Sequence, residues 1–306
     1  IAHNQSQFGG LKTCLNMNYD LLGNPIVVDE ILRDKFIEPP FSVLDAKSGN
    51  WQNRKRTWSR LGIQSELGRT ATAFNTLDWT KKKMKSSQVM KSNTSIFDPA
   101  LCEVLYHWFV PDGGRILDPF AGGSVRGIVA NKLGYKYTGI DIRPEQIESN
   151  REQGLEILET NNQPNWYVGD SNIVLNDMTG PFDFVFSCPP YADLEVYSDL
   201  DGDISNMKYN DFLIAYREII DKSCRLLADG GFACFVVGEV RDRRGNYIGF
   251  VPDTIAAFRD AGLDFYNEAI LLNAIASASI RANGNMKSKK LVKVHQNVLI
   301  FRKNGR

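Results

Sequence analysis

Histidine is the scarcest catalytic residue in this sequence, with three in 306 residues. His3, His107 and His295 are too few and too scattered to assemble a Ser-His-Asp triad or a metal-ligand cluster, so those chemistries are set aside. The five cysteines, at 14, 102, 188, 224 and 234, form no CxxC pair; this usage fits a reducing, cytoplasmic compartment, not a disulfide framework. No continuous apolar stretch approaches 18 residues and no signal peptide is recognisable, which argues against export and membrane insertion. Ile1 is not an initiator methionine, so the chain is expected to be a processed product or an excised part of a longer protein. Net charge is missing too: 36 Lys and Arg balance 36 Asp and Glu, and attraction to a polyanion would have to come from local patches.

From Arg115 onward, strand-like and helix-like patterns alternate, the arrangement of a largely parallel sheet with helices on both faces. Strands are expected at 115–117, 137–140, 166–168, 182–187 and 232–237. Helices are expected at 144–158, 209–227 and 252–261, and one over 98–109 with Asp98 as its cap and Pro99 in its first turn. The last two strands, 263–272 and 297–302, have no helix pattern between them, which predicts a terminal antiparallel hairpin with a long basic loop. Residues 1–94 read as an N-terminal segment with a basic and aromatic stretch and a Lys/Ser-rich linker; residues 95–306 read as the main domain.

Two segments carry the chemistry. Ile116 to Ser124 is an apolar strand ending in an acid and a Gly-rich turn before a helix, the layout of a nucleotide-type cofactor site. Its acidic opening, Asp118, and the lack of a Gly-Lys-Ser/Thr ending disfavour phosphate, while Asp141, at the end of the next strand, suits a ribose diol. The second segment, Ser187-Cys-Pro-Pro-Tyr191, is an apolar strand running into two prolines that stiffen the chain beyond it.

Asp118-Pro-Phe-Ala-Gly-Gly-Ser124 and Cys188-Pro-Pro-Tyr191 resemble the signature loops of the DNA amino-methyltransferases, which modify N6 of adenine or N4 of cytosine with S-adenosylmethionine. Phe41 to Asp45, Trp51 to Arg69, Asp141 to Glu145, 192–197 and His295 to Phe301 extend the resemblance over roughly residues 36 to 303, towards methylases of phage and prophage sequences. The resemblance implies the class I, Rossmann-like methyltransferase fold: a mostly parallel seven-stranded sheet with a terminal antiparallel hairpin. S-adenosylmethionine, with a sulfonium and an ammonium but no phosphate, fits the first loop better than a dinucleotide does.

The same resemblance implies that Asp118, Phe120 and Gly122, with Ala121, Gly123 and Ser124, surround the methionine half of the cofactor. Asp141 takes the ribose hydroxyls, Ile142 packs on the adenine, and Asp170 with Ser171 meets the adenine amino group. Asp170 serves equally well as a helix cap. Thr94 to Asp98 is implied to close over the methionine end. In the second loop the residue before Pro-Pro and the carbonyl of Pro189 accept the amino hydrogens, and Tyr191 stacks on a flipped base beside Pro190. Cys188 departs from the family, because a thiol is a weak acceptor beside Asp, Asn or Ser; Pro189, Ser187 or a nucleophilic role for Cys188 remain alternatives.

Extruding a base also requires a grip on the phosphates, for which the candidates are Arg54, Lys55, Arg56 and Arg60, and Arg281, Lys287, Lys289 and Lys290. The sequence therefore reads as a DNA methyltransferase of a bacterial host cell's cytoplasm, with DNA as its partner, no metal, and a homodimer among the oligomeric states left open. RNA or protein-glutamine methylation, or a catalytically silent cofactor-binding protein, are the rival readings.

Overall fold

The structure, a computed structural model, describes residues 28–63, 97–191, 198, 200, 202–273 and 278–305. The Lys/Ser-rich linker, Thr94 to Ile96, the 64–69 and 192–197 parts of the resemblance and the anticipated domain boundary at 94 lie outside these residues. Two compact units divide the chain, residues 1–40 and 41–306. In the first, helix α1 (Val28–Phe36) carries Arg33 and Lys35 in its last turn, where cations complement the helix dipole.

In the second unit β1 (Val43–Asp45) and α2 (Gly49–Ser59) precede α3 (Pro99–Phe109), β2 (Arg115–Asp118), α4 (Val125–Lys132), β3 (Lys136–Asp141) and α5 (Pro144–Ile157). They are followed by β4 (Asn165–Val168), α6 (Ser171–Val174), β5 (Phe182–Ser187), α7 (Tyr209–Arg225) and β6 (Leu227–Val237). The chain ends with α8 (Phe250–Asp260), β7 (Asp264–Leu272), α9 (Ala278–Lys287) and β8 (His295–Arg302). The sheet order is β1-β7-β8-β6-β5-β2-β3-β4. Among the described strands only β8 runs antiparallel to its neighbours, β6 and β7. From β7 to β4 these seven strands form the mostly parallel sheet with a terminal antiparallel hairpin that was anticipated from the sequence.

Two expectations change. The sheet has an eighth strand: β1 pairs in parallel with β7, Leu44 opposite Leu271, and covers the edge that β7 would otherwise expose. The expected loop between β7 and β8 contains α9. No helix among the described residues is long and apolar enough to cross a membrane.

Buried parallel strands need apolar side chains on both faces, and β5 and the last five residues of β6 supply them: Phe184, Val185, Phe186 and Ala233 to Val237 are fully buried. On one face α7 turns Phe212, Tyr216, Ile219, Ile220 and Cys224 inward at helical spacing. Phe258 of α8 stacks on Phe301 of β8 at 4.1 Å. On the other face Tyr106 of α3 meets Phe184 and Phe186 edge-on. As anticipated, Asp98 caps α3 by accepting from Ala100 N at 3.0 Å.

The aromatic and basic stretch after β1 is the seam of α2. Trp51, Arg54, Lys55 and Trp58 recur at one-face helical spacing, and all four reach acids at or in α3. Trp51 Nε1 and Lys55 Nζ donate to Asp98, at 3.1 and 3.2 Å, while Trp58 Nε1 and Arg54 Nη1 donate to Glu103, each at 2.7 Å.

Candidate active site

In a doubly wound sheet the ligand crevice opens beyond the carboxyl ends of the strands where the strand order reverses. Here that point lies between β2 and β5, which are parallel neighbours with Ile116 opposite Phe184. Residues 118–124 leave the end of β2 and residues 187–191 leave the end of β5, so the fold brings the two signature loops together.

Asp118 joins them, and its side chain is fully buried. Oδ1 accepts from Ser187 Oγ at 2.6 Å and from Phe120 N at 3.1 Å; Oδ2 accepts from Arg126 Nε at 2.5 Å and from the Tyr137 hydroxyl at 2.6 Å. Four donors use the lone pairs that a carboxylate offers. Arg126 also donates to the carbonyls of Phe120 and Ala121, at 2.6 and 2.8 Å, and lies 4.7 Å over the Phe97 ring. Burial is the largest single influence and works against its charge, but Asp118, Tyr137 and Cys188 together raise the guanidinium pKa. The Tyr137 pKa is raised too, by burial and then by Asp118, which keeps its proton in place to donate. Asp118 is thus enclosed by groups of the chain itself.

The remaining first-loop residues divide between scaffold and rim. Ala121 is buried, its N–H donating to Ile140 O at 2.8 Å; Ser124 is buried and donates to Gln153 Oε1 at 3.1 Å. Gly122 has φ +51°, and its N–H donates to Asp141 Oδ2 at 3.0 Å while its carbonyl accepts from Asn150 Nδ2 at 2.7 Å. Phe120, Gly122, Gly123, Asp141, Ile142 and Asp170 are half-buried. Phe120 is anchored against Tyr216 and Phe235, with ring centroids 6.0 and 6.2 Å away.

Asp141 accepts one backbone N–H on each oxygen, from Gly122 and from Arg143 at 2.9 Å, and Arg143 Nε lies 3.5 Å from Oδ1. A carboxylate at the end of this strand is the acceptor type that a diol needs. Asp170 caps α6 through Asn172 N at 2.8 Å, and Ser171 Oγ donates to Pro119 O at 2.5 Å.

In the second loop Ser187 is buried against Asp118 and is withdrawn from the crevice. Cys188 is half-buried, close enough to Arg126 and Tyr216 to couple to both electrostatically; the thiols of Cys102, Cys224 and Cys234 are buried, and burial pushes their pKa values up. Pro189 is buried, and Pro190 and Tyr191 are half-buried. Tyr191 meets Phe250 edge-on at 5.6 Å. Of the cationic candidates, Arg54 and Lys55 are ion-paired to Glu103 and Asp98, whereas Arg56, Arg60, Arg281, Lys287 and Lys289 are exposed and Lys290 is half-buried.

Sequence reasoning missed Arg126, Tyr137 and Lys293. Arg126 had one signal: an arginine inside the otherwise apolar start of α4. Lys293 and Tyr191 border the same glycine, since a Cβ on Gly238 would stand 3.6 Å from the Tyr191 hydroxyl and 3.9 Å from Lys293 Nζ. Burial lowers the Lys293 pKa, against the pull of Glu239 and Glu268.

The family resemblance is borne out by the match of a family model, DNA methylase of the N6/N4 type, to residues 32–152. That span holds the first loop and Asp141 and stops short of the second loop. No curated protein matches the sequence. Among solved structures, TrmN from Thermus thermophilus aligns with 14% identity and a TM-score of 0.45, over 68% of this chain and 49% of its own, so the chain spans about half of that protein's length. Magnesium protoporphyrin IX methyltransferase from Synechocystis PCC 6803, solved with bound SAM, aligns with 13% identity and a TM-score of 0.43, over 67% of this chain and 79% of its own. A second Thermus thermophilus protein, described as a DNA modification methylase, aligns with 23% identity and a TM-score of 0.34, over 45% of this chain and 51% of its own.

Proposed function

We propose that this chain transfers a methyl group from S-adenosylmethionine to an exocyclic amino group of a DNA base, N6 of adenine or N4 of cytosine. The observation that carries the reading is the convergence of the two loops at the sheet's reversal point, fastened by the 2.6 Å bond from Ser187 to Asp118.

S-adenosylmethionine, when bound, supplies a methyl group on a sulfonium, open to direct attack. The rim residues suit it: Asp141 holds the ribose diol, Ile142 and Phe120 supply apolar walls, and Asp170 faces the adenine. Asp118 holds no part of the cofactor. It fixes the backbone of residues 118–121 through Arg126, so the methionine half is met by loop backbone.

An exocyclic amino group is a poor nucleophile because its lone pair is delocalised into the ring. Acceptors for both of its hydrogens hold the nitrogen in a more reactive, pyramidal state. With Ser187 buried, the acceptors left in the loop are the Pro189 carbonyl and the Cys188 sulfur, and the carbonyl is the stronger. Tyr191, braced by Phe250, stacks on the extruded base and offsets roughly 1 to 3 kcal/mol of the few kcal/mol that extrusion costs.

The test separates the two halves of the site. Tyr191→Ala is expected to lose nearly all label transfer from methyl-labelled cofactor to duplex DNA while calorimetric cofactor affinity stays within twofold of wild type. Full transfer by that variant would remove Tyr191 from the base pocket.

A further inference from the structure

Beyond β6 lies a group of cations that this reading does not use. The chain there makes a hairpin closed by a bridge between Arg241 and Tyr247, with Asp242 N donating to Asn246 O at 2.9 Å and Asn246 N donating to Asp242 Oδ1 at 2.8 Å. Gly245, near its tip, has φ +94°, and the side chain of Lys290 lies across its bare Cα so closely that any Cβ would collide with Cε and Nζ. From within the hairpin Arg241 Nη1 donates to Gly245 O at 2.6 Å, and its guanidinium lies 3.9 Å over the Tyr247 ring. One glycine therefore joins two basic segments that are remote in sequence.

The approach of the second segment is also specified. After α9, Lys289 adopts φ +54°, unusual for a residue with a side chain. Lys290 N then returns to Asn285 O at 2.9 Å, closing the helix and directing Lys290 onto the hairpin. Arg243, Arg244, Lys287 and Lys289 are exposed around this junction. Asp242 is occupied by the hairpin's own N–H groups, those of Asn246, Gly245 and Arg244, which hold its carboxyl below the usual range. Among the described residues, none of Arg241, Arg243, Arg244, Lys287, Lys289 and Lys290 forms an ion pair with an acid. Exposed cations gathered on two joined segments form a local positive patch of the kind that attracts a polyanion. The cluster also adjoins the base side of the crevice, since Lys293 and Tyr191 both border Gly238, just before the hairpin.

We propose that the 241–247 hairpin and residues 287–293 form one phosphate-binding surface that grips the DNA backbone beside the nucleotide presented to Tyr191. The proposal rests on the DNA-methylase reading and adds to it the hairpin, which contributes Arg243 and Arg244.

The test is the salt dependence of duplex DNA binding, followed by fluorescence anisotropy, for the wild type, Arg243→Ala/Arg244→Ala and Gly245→Ala. Loss of two phosphate contacts should reduce the slope of log affinity against log salt by about 1.8. Gly245→Ala, which cannot keep Lys290 in place, should reduce it as well, with cofactor affinity unchanged in all three proteins. An unchanged slope in Arg243→Ala/Arg244→Ala overturns the surface. Labelled methyl transfer by the wild type reports on the parent reading separately: no transfer to DNA sinks that reading even where the slope falls as expected.

Discussion

Asp118→Asn is the substitution that best separates what the first loop is made of from what it holds. The change is isosteric, but it leaves the Arg126 guanidinium buried without its counter-charge and can turn an amide donor towards Arg126 Nε and the Tyr137 hydroxyl, which are themselves donors. Removing one partner of a buried ion pair costs about 3 to 5 kcal/mol. For a unit of this size each kcal/mol moves the melting temperature by about 2 to 4 °C, so a fall of roughly 6 to 20 °C is expected. Thermal unfolding monitored by circular dichroism, with a check of two-state behaviour, measures it. Pairing the change with Arg126→Met in a double-mutant cycle should give a coupling of about 1 to 3 kcal/mol. If Asp118 instead bound the cofactor's ammonium, Asp118→Asn would melt like the wild type and lose cofactor affinity. A fall of less than about 2 °C would refute the buried network as the fastening of the loop.

Other expectations follow from the same structure. Asp141→Ala should weaken S-adenosylmethionine binding by roughly 1.5 to 3 kcal/mol by calorimetry, and unchanged affinity would remove Asp141 from the ribose site. Burial and Lys293 lower the pKa of His295 against the opposing pull of Glu268, so the unfolded chain takes up its proton first as pH falls. Its contribution to stability is complete above the unfolded value of about 6.5 and is lost as pH drops through the lower folded value. The wild type should therefore lose more melting temperature than His295→Asn between pH 7.5 and pH 5, and equal losses would contradict the shift. Trp58→Phe keeps an aromatic side chain but deletes the indole donor to the Glu103 carboxylate, and should cost about 1.5 to 3 kcal/mol in denaturant unfolding.

Local chemistry was legible in the sequence, and non-local pairing was not. The capped start of α3, the parallel strands and the placement of both loops at strand ends follow from short-range patterns such as Asp98-Pro99 and the apolar run at 182–186. The hydrogen bonds of Asp118 could not be read, because its partners Arg126, Tyr137 and Ser187 stand 8, 19 and 69 residues away. Arg54 and Lys55 looked like a phosphate patch because a charge run does not name its partner; their spacing with Trp51 and Trp58 was the overlooked sign of a helix face. α9 went unseen because Asn283, Gly284 and Asn285 are poor helix formers. β1 was too short to stand out, and pairing with the edge of β7 is what makes it a strand.

Nucleoside mass spectrometry on duplex DNA incubated with methyl-labelled cofactor, run in parallel for the wild type and Cys188→Ser, tests direct transfer to an amino group. The account predicts label on N6 of adenine or N4 of cytosine with both proteins, because serine accepts at least as well as a thiol and the Pro189 carbonyl is untouched. Label on C5 of cytosine that disappears in Cys188→Ser would show a covalent thiolate mechanism and contradict it, as would DNA left unlabelled by the wild type.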